Sequence, residues 1–377
     1  MSRSFIILLL LIPYTLALNI LLSTSDSWVS KNSRHLYTTL TNQGHNVILI
    51  APLYFNNKYL SLKDFTTTTS TTITSILDGG EFGHLLDVNQ IYYKNLLKIN
   101  QPKTPRNVIS SSILKQQSKL VQNSNQFGHD PLNNQIWYIN SNPIITLKLS
   151  FDVILPTFFP HFKPDLILFG PNEKSSMPDN LHDDVLNVLI NQSDEEIPIM
   201  FIQTNDNHNI YYQDEKYFNI NNNQNNNHQK HQIKKNIFTT NLQYINHKIT
   251  QLIHNIMETK SSSSSSSLSS LSLSQKSIFN VIIPSINHQL SKCTTTSINN
   301  PNLVLFKSND QHQTLQILKK RNVNLPHFKL INQDIQLIES ESVTISTTGS
   351  TKSKSDNVKS LQILDDCNIS VEIIDLN

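Results

Sequence analysis

Three short polar turns in this sequence carry residues that could do chemistry together. Thr24-Ser25-Asp26-Ser27 ends the apolar run Leu18–Ser23, and a polar stretch with Asn56 and Asn57 follows Ala51-Pro52. Gly170-Pro171-Asn172 ends the run Asp165–Phe169. Each turn leaves the carboxyl end of an expected parallel strand, which is where open α/β sheets gather their ligands. Brought to one edge, Asp26, the amides near Asn56 and Asn57, and Asn172 make an oxygen-rich set. Oxygen donors suit a hard divalent cation such as Mg²⁺ or Mn²⁺.

The elements that must position these turns are legible. Leu18–Ser23 and Asn46–Ala51 read as strands, with a helix over about Ser30–Gln43 between them. Leu36 and Leu40 stand four apart on that helix, and Gly44 falls where a C-terminal glycine belongs. Both strands are unbroken apolar runs, as in a parallel sheet buried on both faces. Further along, Gln135–Asn140 reads as a strand and Ile144 to about Phe151 as a helix. Asp165–Phe169 is a strand that Gly170-Pro171-Asn172 breaks. A helix near Leu181–Ile190 leads to the strand "IPIMFIQT". An amphipathic helix over Ile237–Met257, a strand at Phe279–Pro284 and a last strand "ISVEIIDLN" follow. The polar, Thr-rich stretch within Leu60–Asn134 reads as loop or edge hairpin. Three low-complexity tracts, about 220–232, 260–275 and 341–359, read as disordered surface insertions. The expected fold class is α/β, a Rossmann-like three-layer sandwich around a mostly parallel sheet, in a single domain over residues 18–377.

Composition narrows the function. The chain has 377 residues, a net charge of +2 and no clustered basic face, which argues against a nucleic-acid partner. With 7 Gly in all, it lacks any glycine-rich phosphate loop. "MSRSFIILLLLIPYTLA" has the basic start, apolar run and small residues of a secretory signal, so residues 1–17 read as a signal peptide and the protein as secreted or at the cell surface; a buried strand or a short membrane anchor is the alternative. No later stretch reaches the length of a membrane span. The 2 Cys, Cys293 and Cys367, are the one pair available for a bridge in an oxidising compartment; two isolated buried thiols are the alternative. Asn191 and Asn368 head N-glycosylation triplets.

"LNILLSTSDSW", "GHNVILIAP" and "KPDLILFGPNE", in that order and spacing, resemble the SurE family of metal-dependent phosphatases and 5′-nucleotidases. They are most similar to its fungal secreted branch, often described as acid phosphatases. "WYINSNPIITLKLSFDVI", "FNVIIPSIN" and the closing strand extend the resemblance over most of Leu18–Asn377. It implies a SurE-like fold, a divalent metal, a small phosphate monoester or nucleotide as substrate, and assembly into homo-oligomers. The family's first turn reads Asn-Asp-Asp-Gly, and both Asp bind the metal. A Ser after the second strand and the Asn of the third turn complete that site. Carried onto this chain, the four metal positions fall on Ser25, Asp26, Asn57 and Asn172, with Asp26 the catalytic candidate. Two of the four match. The family's Ser-Gly-Thr loop is not evident in "EKSSMPDNLHDD".

The resemblance therefore leaves two expectations open. One is a secreted metal-dependent phosphatase or nucleotidase whose site is weakened by the missing carboxylate. The other is a non-catalytic relative that keeps the fold and binds a ligand or another surface protein. Read without the family, Asp26 is a helix-capping or turn residue and Asn172 a turn residue after proline. His35, His45 and His161 are acid–base candidates by residue type alone, and their positions favour surface or structural roles.

Overall fold

The computed structural model describes residues 17–52, 127–130, 133–139, 141–173, 179–192, 197–205, 212, 237–261, 277–285, 303–307, 327–331, 334–339, 364 and 367–375. The chain opens with strand β1 (Asn19–Ser23), helix α1 (Lys31–Asn42) and strand β2 (Asn46–Pro52). Ile20 and Leu22 of β1 enter one apolar cluster and Leu21 the other, so the strand is buried on both faces. Leu36 and Leu40 of α1 pack into the cluster that holds Ile20 and Leu22. The helix stops where Gly44 takes φ +90°, a conformation that costs glycine little. The Gly44 N–H reaches Thr41 O at 3.0 Å, and the Asn46 N–H then reaches Leu18 O at 2.8 Å to start β2 beside β1.

Strands β3 (Phe127–Asp130) and β4 (Asn133–Ile139) follow. Helix α2 (Pro143–Leu149) comes next; Asn142 caps it by accepting from the Ile145 N–H at 2.9 Å. The chain continues through a π-helical turn (Ser150–Ile154) into the short helix α3 (Leu155–Phe158). Then come β5 (Leu166–Glu173), α4 (Asp179–Gln192), β6 (Ile199–Thr204), α5 (Ile237–Ser261) and β7 (Ser277–Ile283). The last elements are β8 (Leu303–Lys307), β9 (His327–Ile331), β10 (Asp334–Glu339) and β11 (Ile369–Asp375).

Among the described residues, nine strands form one sheet in the order β3-β4-β2-β1-β5-β6-β7-β11-β8, and β9 and β10 form a separate hairpin. Within the large sheet the β3/β4 and β7/β11 pairs are antiparallel and the others parallel. One apolar cluster joins α1 and α5 to one face, with Leu242, Ile245, Ile249, Leu252, Ile253 and Ile256 forming the α5 stripe. The second joins α2, the π turn and α4 to the other face. This is the expected α/β three-layer sandwich with a mostly parallel sheet. Leu22 of β1 is opposite Leu49 of β2 on one side and Leu168 of β5 on the other. The chain order reverses between β1 and β5, so the crevice at their carboxyl ends is the topological switch point.

Some expectations need correcting. Gly170-Pro171-Asn172 does not end its strand. The cis Gly170–Pro171 bond sits at an irregularity in register, after which Asn172 and Glu173 pair again with Gln203 and Thr204 of β6. The helix read over Ile144–Phe151 gives way to the π turn at Ser150. Strands β3 and β8 and the β9–β10 hairpin were not expected; they are short or polar, and their pairing depends on distant partners. The three low-complexity tracts lie outside the described residues, except that α5 runs through Lys260 and Ser261. Residues 1–16 also lie outside them. Cys367 is disulfide-bonded; the chain's other cysteine, Cys293, lies outside the described residues.

Candidate functional site

Strand β1 delivers Thr24, Ser25, Asp26 and Ser27 to the switch point, and the turn is tied down on each side. The Asp26 N–H reaches Thr24 Oγ1 at 3.0 Å. The Trp28 N–H reaches Pro52 O at 3.0 Å, joining the turn to the end of β2, and the Ser30 N–H reaches Ser27 O at 2.9 Å. All four turn residues are at most 1% exposed.

Strand β5 delivers Asn172 and Glu173 to the same place. Gly170 makes this approach workable: its φ is +121°, and a Cβ there would lie 2.0 Å from Ile202 O of β6. The Asn172 amide nitrogen donates to Phe169 O at 3.3 Å and to Ile202 O at 3.2 Å, which fixes the side chain's orientation. Its Oδ1 then accepts from Thr24 Oγ1 at 2.8 Å, the Ser25 N–H at 2.7 Å and Ser25 Oγ at 3.0 Å. The Glu173 N–H lies 3.3 Å from each oxygen of the Asp26 carboxylate, and Ser30 Oγ donates to Asp26 Oδ2 at 3.3 Å.

A charge pair completes the cluster. Lys31 Nζ donates to Glu173 Oε1 at 2.5 Å, with both side chains at most 2% exposed. One turn along α1, Arg34 Nη2 bonds Asp130 Oδ2 at 2.8 Å and Tyr212 Oη at 3.1 Å.

The structure thus brings together Asp26, Ser25 and Asn172 as the sequence suggested; Asn57 lies outside the described residues. Asp26 does not cap α1. Ser30 holds the N-cap position, and its hydroxyl is bonded to Asp26. The three histidines are not part of the contacts described here. His35 is held neutral, its pKa lowered to about 4 by burial and then by the Arg34 charge. His45 is lowered by burial and then by His254, and its Nδ1 accepts from the Leu18 N–H at 3.3 Å.

Sequence reasoning missed Lys31 and Glu173. A signal was present: a lysine at the first position of a helix opposes the helix dipole and calls for a nearby anion.

The divalent cation implied by the resemblance can be tested against these contacts. The Asn172 oxygen that would coordinate it already accepts three donors. Ser25, where the resemblance implies an aspartate, adds a hydroxyl that donates to this oxygen and brings no charge. The Lys31 ammonium already meets the Glu173 carboxylate. As these side chains stand, the set does not fit a hard cation, which needs free oxygen ligands and usually one or two carboxylates.

No family model matches the chain. An acid phosphatase of Yarrowia lipolytica (strain CLIB 122 / E 150) is 26% identical over 154 residues, covering 41% of this chain and 32% of that protein. The match therefore spans about a third of that relative's length. Among solved structures, the SurE protein of Aquifex aeolicus covers 95% of this chain and 93% of its own, at 11% identity and a TM-score of 0.37. The acid phosphatase match agrees with the SurE-like phosphatase resemblance read from the sequence. Among the described residues, no helix is long and apolar enough to cross a membrane.

Proposed function

We propose that this protein is a secreted SurE-like phosphatase or nucleotidase that takes small phosphate monoesters at the β1/β5 switch point and hydrolyses them slowly. The observation that carries the reading is the junction of Ser25-Asp26 with Asn172-Glu173, which places the two matching family positions at one crevice. In the reaction, water attacks phosphorus, the ester P–O bond breaks, and the alcohol leaves with a proton. Asp26 is the carboxylate available to orient that water. Slow turnover follows from Ser25, where the family has a second carboxylate. Secretion is supported by the signal-like N-terminus. The described side chains do not fit the implied Mg²⁺ or Mn²⁺.

The closed bonding of the site favours a second reading, in which the protein binds a phosphate monoester without cleaving it. The polar contacts of the Asn172 side chain, to Thr24, Ser25, Phe169 and Ile202, are internal to the fold. Phosphate release from nitrophenyl phosphate and a nucleotide panel, from acid to neutral pH, separates the two readings. Release above the no-enzyme rate supports hydrolysis. Binding of a monoester without release supports the second reading, and neither binding nor release defeats both.

A further inference from the structure

Lys31 is a fully buried lysine at the start of α1, paired with a carboxylate that is itself buried. Leaving an ammonium uncompensated in such a place is costly, and so is leaving a carboxylate there. The pair lies within the cluster just described. The residue before Lys31 bonds the Asp26 carboxylate through its hydroxyl, and the backbone of Glu173 bonds the same carboxylate. Glu173 thus joins the two charges: its backbone N–H meets the Asp26 carboxylate and its own carboxylate meets the Lys31 ammonium. A pair of buried carboxylates ordinarily draws in a cation, and here the chain supplies its own.

We infer that the Lys31 ammonium is the resident cation of this site, taking the place of a divalent metal and keeping one out. The inference rests on the reading of the crevice as a phosphate-monoester site, and it gives that site a metal-independent character. Three features of the geometry converge on it. The family's first aspartate is replaced by Ser25, which donates to Asn172 where a metal would draw on the same oxygen. Glu173 follows Asn172 directly and directs its carboxylate to Lys31. Neither Lys31 nor Glu173 has solvent to screen its charge, so the pair is held in a medium where Coulomb attraction is strong. Removing the ammonium takes the Lys31 charge off Glu173, whose backbone is bonded to Asp26 in the cluster that also holds the oxygens of Ser25 and Asn172. That is a set a hard cation can use.

The test is Mn²⁺ calorimetry on the full chain, its Lys31→Met variant and the double variant Lys31→Met/Glu173→Gln, alongside phosphate release with Mn²⁺ or with EDTA. The parent should bind no Mn²⁺ at the crevice, and any phosphate release should be unchanged by EDTA. Lys31→Met should bind Mn²⁺ at least about 10-fold more tightly than the parent, and its melting temperature should rise with added Mn²⁺. The double variant, which removes both members of the pair, should fold and lose that gain. If Lys31→Met does not fold even with Mn²⁺, the parent decides. Parent Mn²⁺ binding that Asp26→Asn abolishes, or phosphate release that EDTA stops, overturns the inference while leaving the phosphatase reading intact. Absence of phosphate binding or release under every condition sinks the phosphatase reading, and the Mn²⁺ results still judge the role of Lys31. A Lys31→Met variant that folds and gains no Mn²⁺ affinity also overturns the inference.

Discussion

The side-chain oxygen of Asn172 lies 2.7 Å from the backbone nitrogen of Ser25 and 3.0 Å from its hydroxyl oxygen, so one carboxamide holds the ends of β1 and β5 together. The two residues are 147 positions apart in sequence. Asn172→Ala would leave the buried Ser25 N–H and the hydroxyls of Ser25 and Thr24 without this acceptor. Each unsatisfied buried group costs about 1–3 kcal/mol, so the variant should lose at least about 2 kcal/mol of stability. Urea unfolding checks it, with the midpoint falling and the slope unchanged. A midpoint equal to the parent's would show that this contact does not hold the strands.

Gly170 is the second structural test. Its backbone conformation is rare for other residues, and a Cβ would collide with a carbonyl of the neighbouring strand. Backbone on both sides leaves little room to yield. Gly170→Ala should displace Asn172 and give a protein that is poorly folded or melts far below the parent, as circular dichroism would show. A variant with the parent's melting temperature would mean that β5 and β6 do not approach as described.

Acid should weaken the fold through His35. Its folded pKa is lowered from 6.5 to about 4, by burial first and by Arg34 second. The unfolded chain therefore takes up a proton over a range in which the folded chain does not. This contribution to stability is fully present above pH 6.5 and is lost as pH falls towards about 4. The limiting slope is about 1.4 kcal/mol per pH unit for one such group. His45 is shifted in the same direction and adds to the effect. His35→Gln should flatten the fall in urea midpoint between neutral pH and pH 5; identical pH profiles for parent and variant would remove His35 as its source.

Ser25→Asp examines the missing carboxylate. Alone, the substitution adds charge but must compete with the Lys31 ammonium for the cation's role. Combined with Lys31→Met, it should bind Mn²⁺ at least about 10-fold more tightly than alone, and the two effects should be non-additive because they act on one ion. Equal Mn²⁺ affinities for the single and double variants, read by calorimetry, would show that Lys31 does not compete.

The fold was largely legible because its central strands are unbroken apolar runs bounded by polar turns, as at Leu18–Ser23 and Asn46–Ala51. The short strands β3, β8, β9 and β10 carry weak local signals and owe their form to distant partners. The course of β5 through Gly170-Pro171 was hidden for a related reason. Those residues read as a breaker locally, and only the pairing with β6 carries the strand onward. At the site, Asp26, Ser25 and Asn172 could be read from the ordered turns. Lys31 and Glu173 could not be paired from sequence, since 142 residues separate them and only the β1/β5 neighbourhood brings them together.

Whether the β1/β5 switch point is a phosphatase site is decided by phosphate release from the parent and from Asp26→Asn, each with EDTA and with Mn²⁺, after circular dichroism has shown both to be folded. Asp26 is 1% exposed and lies at the meeting of both strands, so a functional site at the switch point must depend on it. The parent should release phosphate slowly and insensitively to EDTA, and Asp26→Asn should release none above background. Equal rates for the two folded proteins would contradict this reading and place the chemistry elsewhere in the chain.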